Sequence, residues 1–355
     1  MDYRKILIIN PYGIGDVLFT TPVIRNLRLA FPKAAIGYLA NARTASFLKA
    51  DGDITRVFVY ERDEFVQAYR QNPLKFARKW FELFQTIKQE AFDLALDFSM
   101  NSTFGFLTAA CGIKERVGFD YKKRGRFLTD RLPFEGYQGK HVIEHQLDLL
   151  RYLQIPVATN RMSLAIPYGD IQWARQWVLQ QGIDSSKPLI GVVPGAGASW
   201  GKNAGFRRWA GSKYAELLDK IIENFDAAVI LMGDSTEQEL CRDLAVQVHF
   251  PLYSATGQTT LTRMAALMAR CRLVLVNDGG PLHVAVASGV KTVSIFGPQD
   301  HLIYGPYPAQ GHVVVRKELP CQPCYRRFRM ARCEHINCLK ELSVEEVYRK
   351  VADIL

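Results

Sequence analysis

Apolar and polar positions along the first hundred residues switch between two periods. Ile6-Leu7-Ile8-Ile9 is an unbroken apolar block of strand length, the pattern of a strand buried on both faces. It ends at Pro11-Tyr12-Gly13-Ile14-Gly15-Asp16, and a helical pattern follows over 17–31. Pro22 predicts either a kink in that helix or the first turn of a second one. Further strands are predicted at 35–39, 56–60 and 94–98, with a helix over 73–89. Strand and helix alternate, so a mainly parallel sheet is expected.

The stretch between Leu153 and Pro188 carries Pro156, Pro167, Gly169 and Gly182 around one amphipathic helix, 171–181, and the domain boundary is placed there. The strand pattern then restarts. Runs at 189–193, 227–232 and 273–276 end in glycine-bearing turns, Pro194-Gly195, Gly233-Asp234 and Asn277-Asp278-Gly279-Gly280. Helices are predicted over 214–224 and 284–288, and a strand over 292–296 closed by Gly297-Pro298. A last amphipathic helix fills 343–355, with Ser343 as its N-cap and Glu346 at the capping-box position. The expected organisation is an N-terminal domain over 1–168, a C-terminal domain over 169–340 and a terminal helix over 341–355. Open α/β sheets bind ligands outside the carboxyl ends of their strands, so function is expected between the two halves.

Composition narrows the class. The 355 residues are 48% hydrophobic and 23% charged, which excludes disorder and a collagen-like chain. No apolar run approaches the roughly 20 residues that span a bilayer, and the N-terminus lacks a signal-peptide pattern, so a cytoplasmic protein is expected. Lys and Arg number 45 against 35 Asp and Glu, a net charge of +10. That excess suits nucleic acid, an anionic membrane surface or a phosphorylated substrate, and charge alone does not choose. Seven cysteines are too few for a disulfide scaffold.

Four loops carry candidate chemistry. In Gly13-Ile14-Gly15-Asp16, glycines allow close approach or a positive φ, and Asp16 either caps a helix or projects toward a ligand. The third glycine of a dinucleotide fingerprint is missing, which excludes an ordinary nicotinamide site. Asn277-Asp278-Gly279-Gly280-Pro281-Leu282-His283 follows a strand and opens a helix, a natural phosphate seat. Pro194-Gly195-Ala196-Gly197-Ala198-Ser199-Trp200-Gly201-Lys202, with Arg207-Arg208 behind it, offers main-chain donors and cations for a diphosphate. Gly233-Asp234-Ser235-Thr236-Glu237 suits a nucleoside, with Glu237 accepting from ribose hydroxyls. Each has a structural alternative as a helix start or a solvated loop.

Taken together the segments resemble glycosyltransferase family nine, the ADP-heptose:lipopolysaccharide heptosyltransferases, over nearly the whole chain. The resemblance rests on Gly15-Asp16-Val17-Leu18-Phe19-Thr20-Thr21-Pro22, on Pro194-Gly195-Ala196 and on Asn277 to His283. It implies a GT-B fold of two Rossmann-like domains facing across a cleft, acceptor on the first and nucleotide-sugar on the second, with metal-independent inversion. It further implies Asp16 as catalytic base, Asp278, Gly279, Gly280 and His283 as the diphosphate loop, and Glu237 as the ribose contact. Arg207 stands where the family usually has Lys, Ala210 replaces a Pro, and Gly279 replaces Ser or Thr. The cation for the diphosphate is Arg207 by alignment, with Lys202 and Arg208 as alternatives.

Cys321, Cys324, Cys333 and Cys338 have a spacing that can enclose a structural zinc, with reduced thiols or a disulfide as the other outcomes. His335 is a spare ligand candidate. The expected partners are an ADP-sugar donor and an anionic glycolipid at the inner leaflet. Peripheral membrane contact is expected through Arg116, Lys122, Lys123, Arg124, Arg126 and Arg131, with no nucleic acid and no cofactor needed for catalysis. The competing classes are a zinc-containing nucleic-acid-binding protein, using the basic run after Cys324, and a GT-B sugar-nucleotide epimerase.

Overall fold

A computed structural model of the chain describes residues 2–197 and 204–355. The chain divides into two compact units, Met1–Ala165 and Ile166–Leu355.

The first unit is a parallel six-stranded sheet, β1 (Lys5–Ile9), β2 (Ala35–Ala40), β3 (Arg56–Val59), β4 (Leu94–Asp97), β5 (Glu115–Tyr121) and β6 (Asp130–Phe134), in the order β3-β2-β1-β4-β5-β6. Its helices are α1 (Ile14–Phe19), α2 (Thr21–Ala30), α3 (Ala42–Lys49), α4 (Arg62–Gln71), α5 (Pro73–Lys88), α6 (Ser102–Ala110) and α7 (Val142–Tyr152). The run predicted as one helix over 17–31 is two. Thr20 separates them, its hydroxyl donating to the Val17 carbonyl at 2.7 Å, and Pro22 falls in the first turn of α2, where its missing N–H costs nothing. One core packs Leu7, Ile9, Leu39 and Ala95 of the central strands against Phe58, Phe92, Phe104 and Ile87.

The second unit repeats the plan with β7 (Leu189–Val193), β8 (Ala228–Leu231), β9 (Tyr253–Ser254), β10 (Leu273–Asn277), β11 (Lys291–Ile295) and β12 (His312–Val315), ordered β12-β11-β10-β7-β8-β9 and all parallel. Its longer helices are α8 (Tyr168–Gln180), α9 (Gly211–Phe225), α10 (Gln238–Gln247), α11 (Leu261–Met268) and α12 (Gly280–Ala287). The remaining helices are α13 (His301–Tyr304), between β11 and β12, and α14 (Asn337–Lys340) and α15 (Val344–Ala352), after the last strand of the sheet. A two-stranded hairpin, β13 (Tyr325–Arg326) with β14 (Arg329–Met330), lies in the cysteine-bearing segment. Ser343 caps α15 and Glu346 completes the capping box, as the sequence predicts. Val347 and Val351 of that helix join the core of Ile190, Val192, Leu273 and Val293, so the C-terminal helix is an integral part of the second unit.

In each sheet the order reverses once between neighbouring strands, β1/β4 in the first and β7/β10 in the second. Loops leaving the carboxyl ends of such a pair diverge and open a crevice, the usual ligand position in this kind of sheet.

Candidate active site

In the first unit the reversal brings together the loops after β1, β2 and β4. Gly13, at φ −67°, is the residue that starts α1, so the loop uses its small size and not a positive φ. Asp16 is the third helical residue and exposed, not the cap itself; its Oδ2 accepts the Gly13 N–H at 3.1 Å, and Asn10 Nδ2 donates to the Asp16 carbonyl at 2.9 Å. Gly15 lies inside the same helical turn. Tyr12 donates its hydroxyl to the Ser99 carbonyl, and Asn41 donates to the Tyr12 carbonyl, so three strand ends are tied together. Burial, then Asp97 and Asp16, raise the Tyr12 pKa, while Arg124 and Arg62 act against them.

Sequence reasoning missed Asp97. It closes β4, is buried, and accepts the Ser99 N–H at 2.8 Å. Burial pushes its carboxyl up to about 6. The signals were an acid ending an otherwise apolar strand and a glycine beside it: a Cβ on Gly118 would stand 2.6 Å from the Asp97 carbonyl oxygen.

In the second unit the reversal joins the loops after β7 and β10, with the β8 loop alongside. Asn277, fully buried, donates to the carbonyls of Pro194 and Gly195 at 2.7 and 3.1 Å and accepts from the Trp209 N–H at 3.3 Å. It is a clamp between the two loops. Gly279 is packed so that a Cβ would meet the Ala196 carbonyl at 2.8 Å, and Ala196 is buried beneath it. Gly280 begins α12 with Pro281 next, and His283 lies buried one turn in. The positive end of the helix dipole and its first N–H groups therefore face the glycine loop.

Glu237 is almost fully buried. Its Oε1 accepts the Gly197 N–H at 3.2 Å and its Oε2 the Asp234 N–H at 3.3 Å, while Arg208 approaches to 3.9 Å. Burial, then Asp234, push its pKa up. The carboxylate explains two glycines, because a Cβ on Gly195 would lie 1.7 Å from Glu237 Oε1 and one on Gly233 2.8 Å from Oε2.

The two arginines differ sharply. Arg207 forms a bidentate pair with the fully buried Asp278, at 2.7 and 3.1 Å, and the Gln299 amide, turned to face the same carboxylate, donates at 3.0 and 3.2 Å. Burial raises the Asp278 pKa while Arg207 pulls it back. Arg208 is about one-third exposed, at 35%, and its Nε is buried with no acceptor among the described residues. Lys202 falls outside the described residues.

The family model of glycosyltransferase family 9 (heptosyltransferase) matches residues 80–335 of the chain. The chain belongs to this family. It is 24% identical over 353 residues to a lipooligosaccharide heptosyltransferase 2 of Campylobacter jejuni, covering 98% of each protein. Its fold matches the family 9 glycosyltransferase of Veillonella parvula with a TM-score of 0.82 at 20% identity, covering 99% of this chain and 97% of that one. The ADP-heptose lipopolysaccharide heptosyltransferase II of E. coli superposes with a TM-score of 0.75 at 21% identity, covering 99% and 98%. The fold is thus the GT-B type expected, and this family 9 member is a glycosyltransferase.

The cysteines depart from the expectation of zinc. Among the described residues no three His, Cys, Asp or Glu side chains are arranged to hold a metal ion. The four are free thiols, Cys321 exposed and Cys338 buried, and Cys324 donates its Sγ–H to the Cys321 carbonyl at 3.1 Å. Burial, with the other three thiols near it, pushes Cys338 up to about 11. As placed, the four thiols are not arranged as a metal site, and no step is derived through a metal.

Proposed function

We propose that this glycosyltransferase moves heptose from ADP-heptose to a lipopolysaccharide inner-core acceptor at the cytoplasmic face of the membrane, inverting the anomeric carbon without a catalytic metal. The likeness to heptosyltransferases along almost the whole chain carries the choice of sugar and acceptor. Asp16 takes the proton of the acceptor hydroxyl as its oxygen bonds to the anomeric carbon and the bond to the diphosphate breaks. One carboxylate suffices because a neutralised diphosphate leaves readily, unlike the sugar leaving groups of glycosidases, which need a second carboxyl as acid.

The diphosphate is received by the opening of α12, with Gly279, Gly280 and His283 lining it and the Gly195-Ala196 backbone opposite. Arg208, whose buried Nε has no acceptor among the described residues, is the cation we assign to meet it directly. Arg207, expected in that role, is already bound to Asp278 and supports the loop from behind. Gly233 and Glu237 border the nucleoside, with Glu237 holding the backbone of two loops as well as facing the ribose.

Thermal shift separates the classes first. ADP at a hundred times its Kd should stabilise the protein by about 2.7 kcal/mol, whereas a short DNA duplex should do nothing. A panel of nucleotide sugars with core acceptors then identifies the donor by nucleotide release. Stabilisation by DNA alone, or interconversion of a nucleotide sugar without any acceptor product, would overturn the proposal.

A further inference from the structure

Helices α4 and α5 form a hairpin that leaves the carboxyl end of β3, and Arg62, the first residue of α4, is one of the charges acting on Tyr12 beside Asp16. The hairpin therefore starts at the rim of the proposed acceptor site. Its inner face is conventional: Phe65, Phe76, Trp80, Leu83 and Ile87 pack on the first unit's core. Its outer face is not. Leu74 is 80% exposed, Tyr69 63% and Phe81 59%, and Leu74, Ala77, Arg78 and Phe81 follow one another at helical spacing on the side of α5 away from the packed residues. A helix apolar on both faces needs something to cover the second.

Charge says what covers it. Between 69 and 88 the chain carries five cations, Arg70, Lys75, Arg78, Lys79 and Lys88, against the single acid Glu82. Arg78 and Lys79 pair with Glu82 and Glu64, but Arg70 and Lys75, on either side of the exposed Leu74, have no carboxylate partner among the described residues. A second copy of the chain would bring like charges together across this surface. Exposed leucine and aromatic side chains interleaved with unpaired cations instead match the boundary of an anionic bilayer, where rings and aliphatic tips enter the acyl region and long cationic side chains reach headgroup phosphates.

We propose that the outer face of the α4–α5 hairpin docks on an anionic lipid surface. This rests on the reading of the acceptor as a membrane-held glycolipid only for its purpose; binding itself is read without acceptor or donor, so the two can fail separately. The surface differs from the basic stretch singled out in the sequence. There Arg116 donates to the carbonyls of Phe127 and Ile113, and Lys122, Arg124 and Arg126 lie over the rings of Tyr121 and Phe127.

The test is sedimentation of the whole protein with vesicles of phosphatidylethanolamine and phosphatidylglycerol, and with neutral phosphatidylcholine vesicles. Binding is expected to the anionic vesicles, weakening with salt, and to be cut at least tenfold in Leu74→Ser/Phe81→Ser and in Arg70→Glu/Lys75→Glu. Both pairs are exposed, and unchanged melting temperature and ADP binding confirm folding. Lys122→Glu/Arg126→Glu should reduce binding less than threefold. Equal binding to neutral vesicles, a larger loss in that control, or a wild-type dimer that the Leu74/Phe81 variant turns into a monomer without any vesicle binding would overturn the proposal.

Discussion

Replacing Arg207 by Met is the perturbation whose outcome the structure constrains most. Methionine keeps much of the volume but strips the fully buried Asp278 carboxylate of both its guanidinium bonds, leaving, among the described residues, the Gln299 amide. Removing one partner of a buried pair leaves an uncompensated charge and costs about 3–5 kcal/mol, far more than the pair adds over an apolar replacement. For a unit of this size that corresponds to a fall in melting temperature of roughly 6–20 °C. The pH dependence fixes the cause. Without Arg207 the Asp278 pKa rises further, so the folded state holds a proton that the unfolded chain releases near the usual aspartate range. The deficit against wild type should be largest at neutral pH and shrink as the pH falls and Asp278 becomes neutral. Asp278→Asn in the same chain should recover most of the loss. Thermal unfolding of the single and double variants by circular dichroism at pH 5 and pH 7.5 reads all of this. A deficit below 1 kcal/mol, or one that is the same at both pH values, would refute the reasoning and return Arg207 to direct contact with diphosphate.

Three further outcomes follow from particular contacts. Gly195→Ala forces the Glu237 carboxylate off two backbone N–H groups, so ADP affinity should fall about tenfold and stability by about 1–3 kcal/mol, while Gly205→Ala, with nothing within 4 Å, serves as the control; calorimetric titration with ADP checks it. Asp97 has its pKa raised to about 6, so ionising it costs stability as the pH climbs through that value and costs nothing below pH 4. Asp97→Asn should therefore stabilise the protein by up to about 3 kcal/mol at pH 8 and hardly at all at pH 4, measured by urea denaturation. Exhaustive chelation should leave the melting temperature unchanged, and a bound equivalent of zinc on elemental analysis would show that the four cysteines rearrange around a metal.

The fold was legible where burial is two-sided. The apolar blocks of β1, β4, β7, β8 and β10 have no polar face to mask them, and the glycine turns beyond them mark their ends. The strands that went unread lie toward the edges: β5 interrupts its apolar positions with Glu115, Arg116, Gly118 and Asp120, β6 contains Pro133, β9 is two residues long and β12 only four. The glycines of the site were legible as a pattern but not as a cause, since what makes Gly195 necessary is Glu237, 42 residues on. Arg207 shows the same limit. The family resemblance made it the expected diphosphate cation, and only tertiary structure reveals a carboxylate 71 residues away that already holds it. Asp97 lay at the end of a strand whose neighbour could be known only from the strand order.

Heptose transfer itself is read by incubating the protein with ADP-heptose and a heptose-acceptor core glycolipid, and following the acceptor by mass spectrometry and ADP by chromatography. One heptose is expected to be added per ADP released, without added metal, at a rate that Asp16→Asn lowers by about 10²–10⁴-fold while ADP binding is retained. Acceptor mass unchanged while ADP-heptose is consumed, or Asp16→Asn turning over at the wild-type rate, would contradict it.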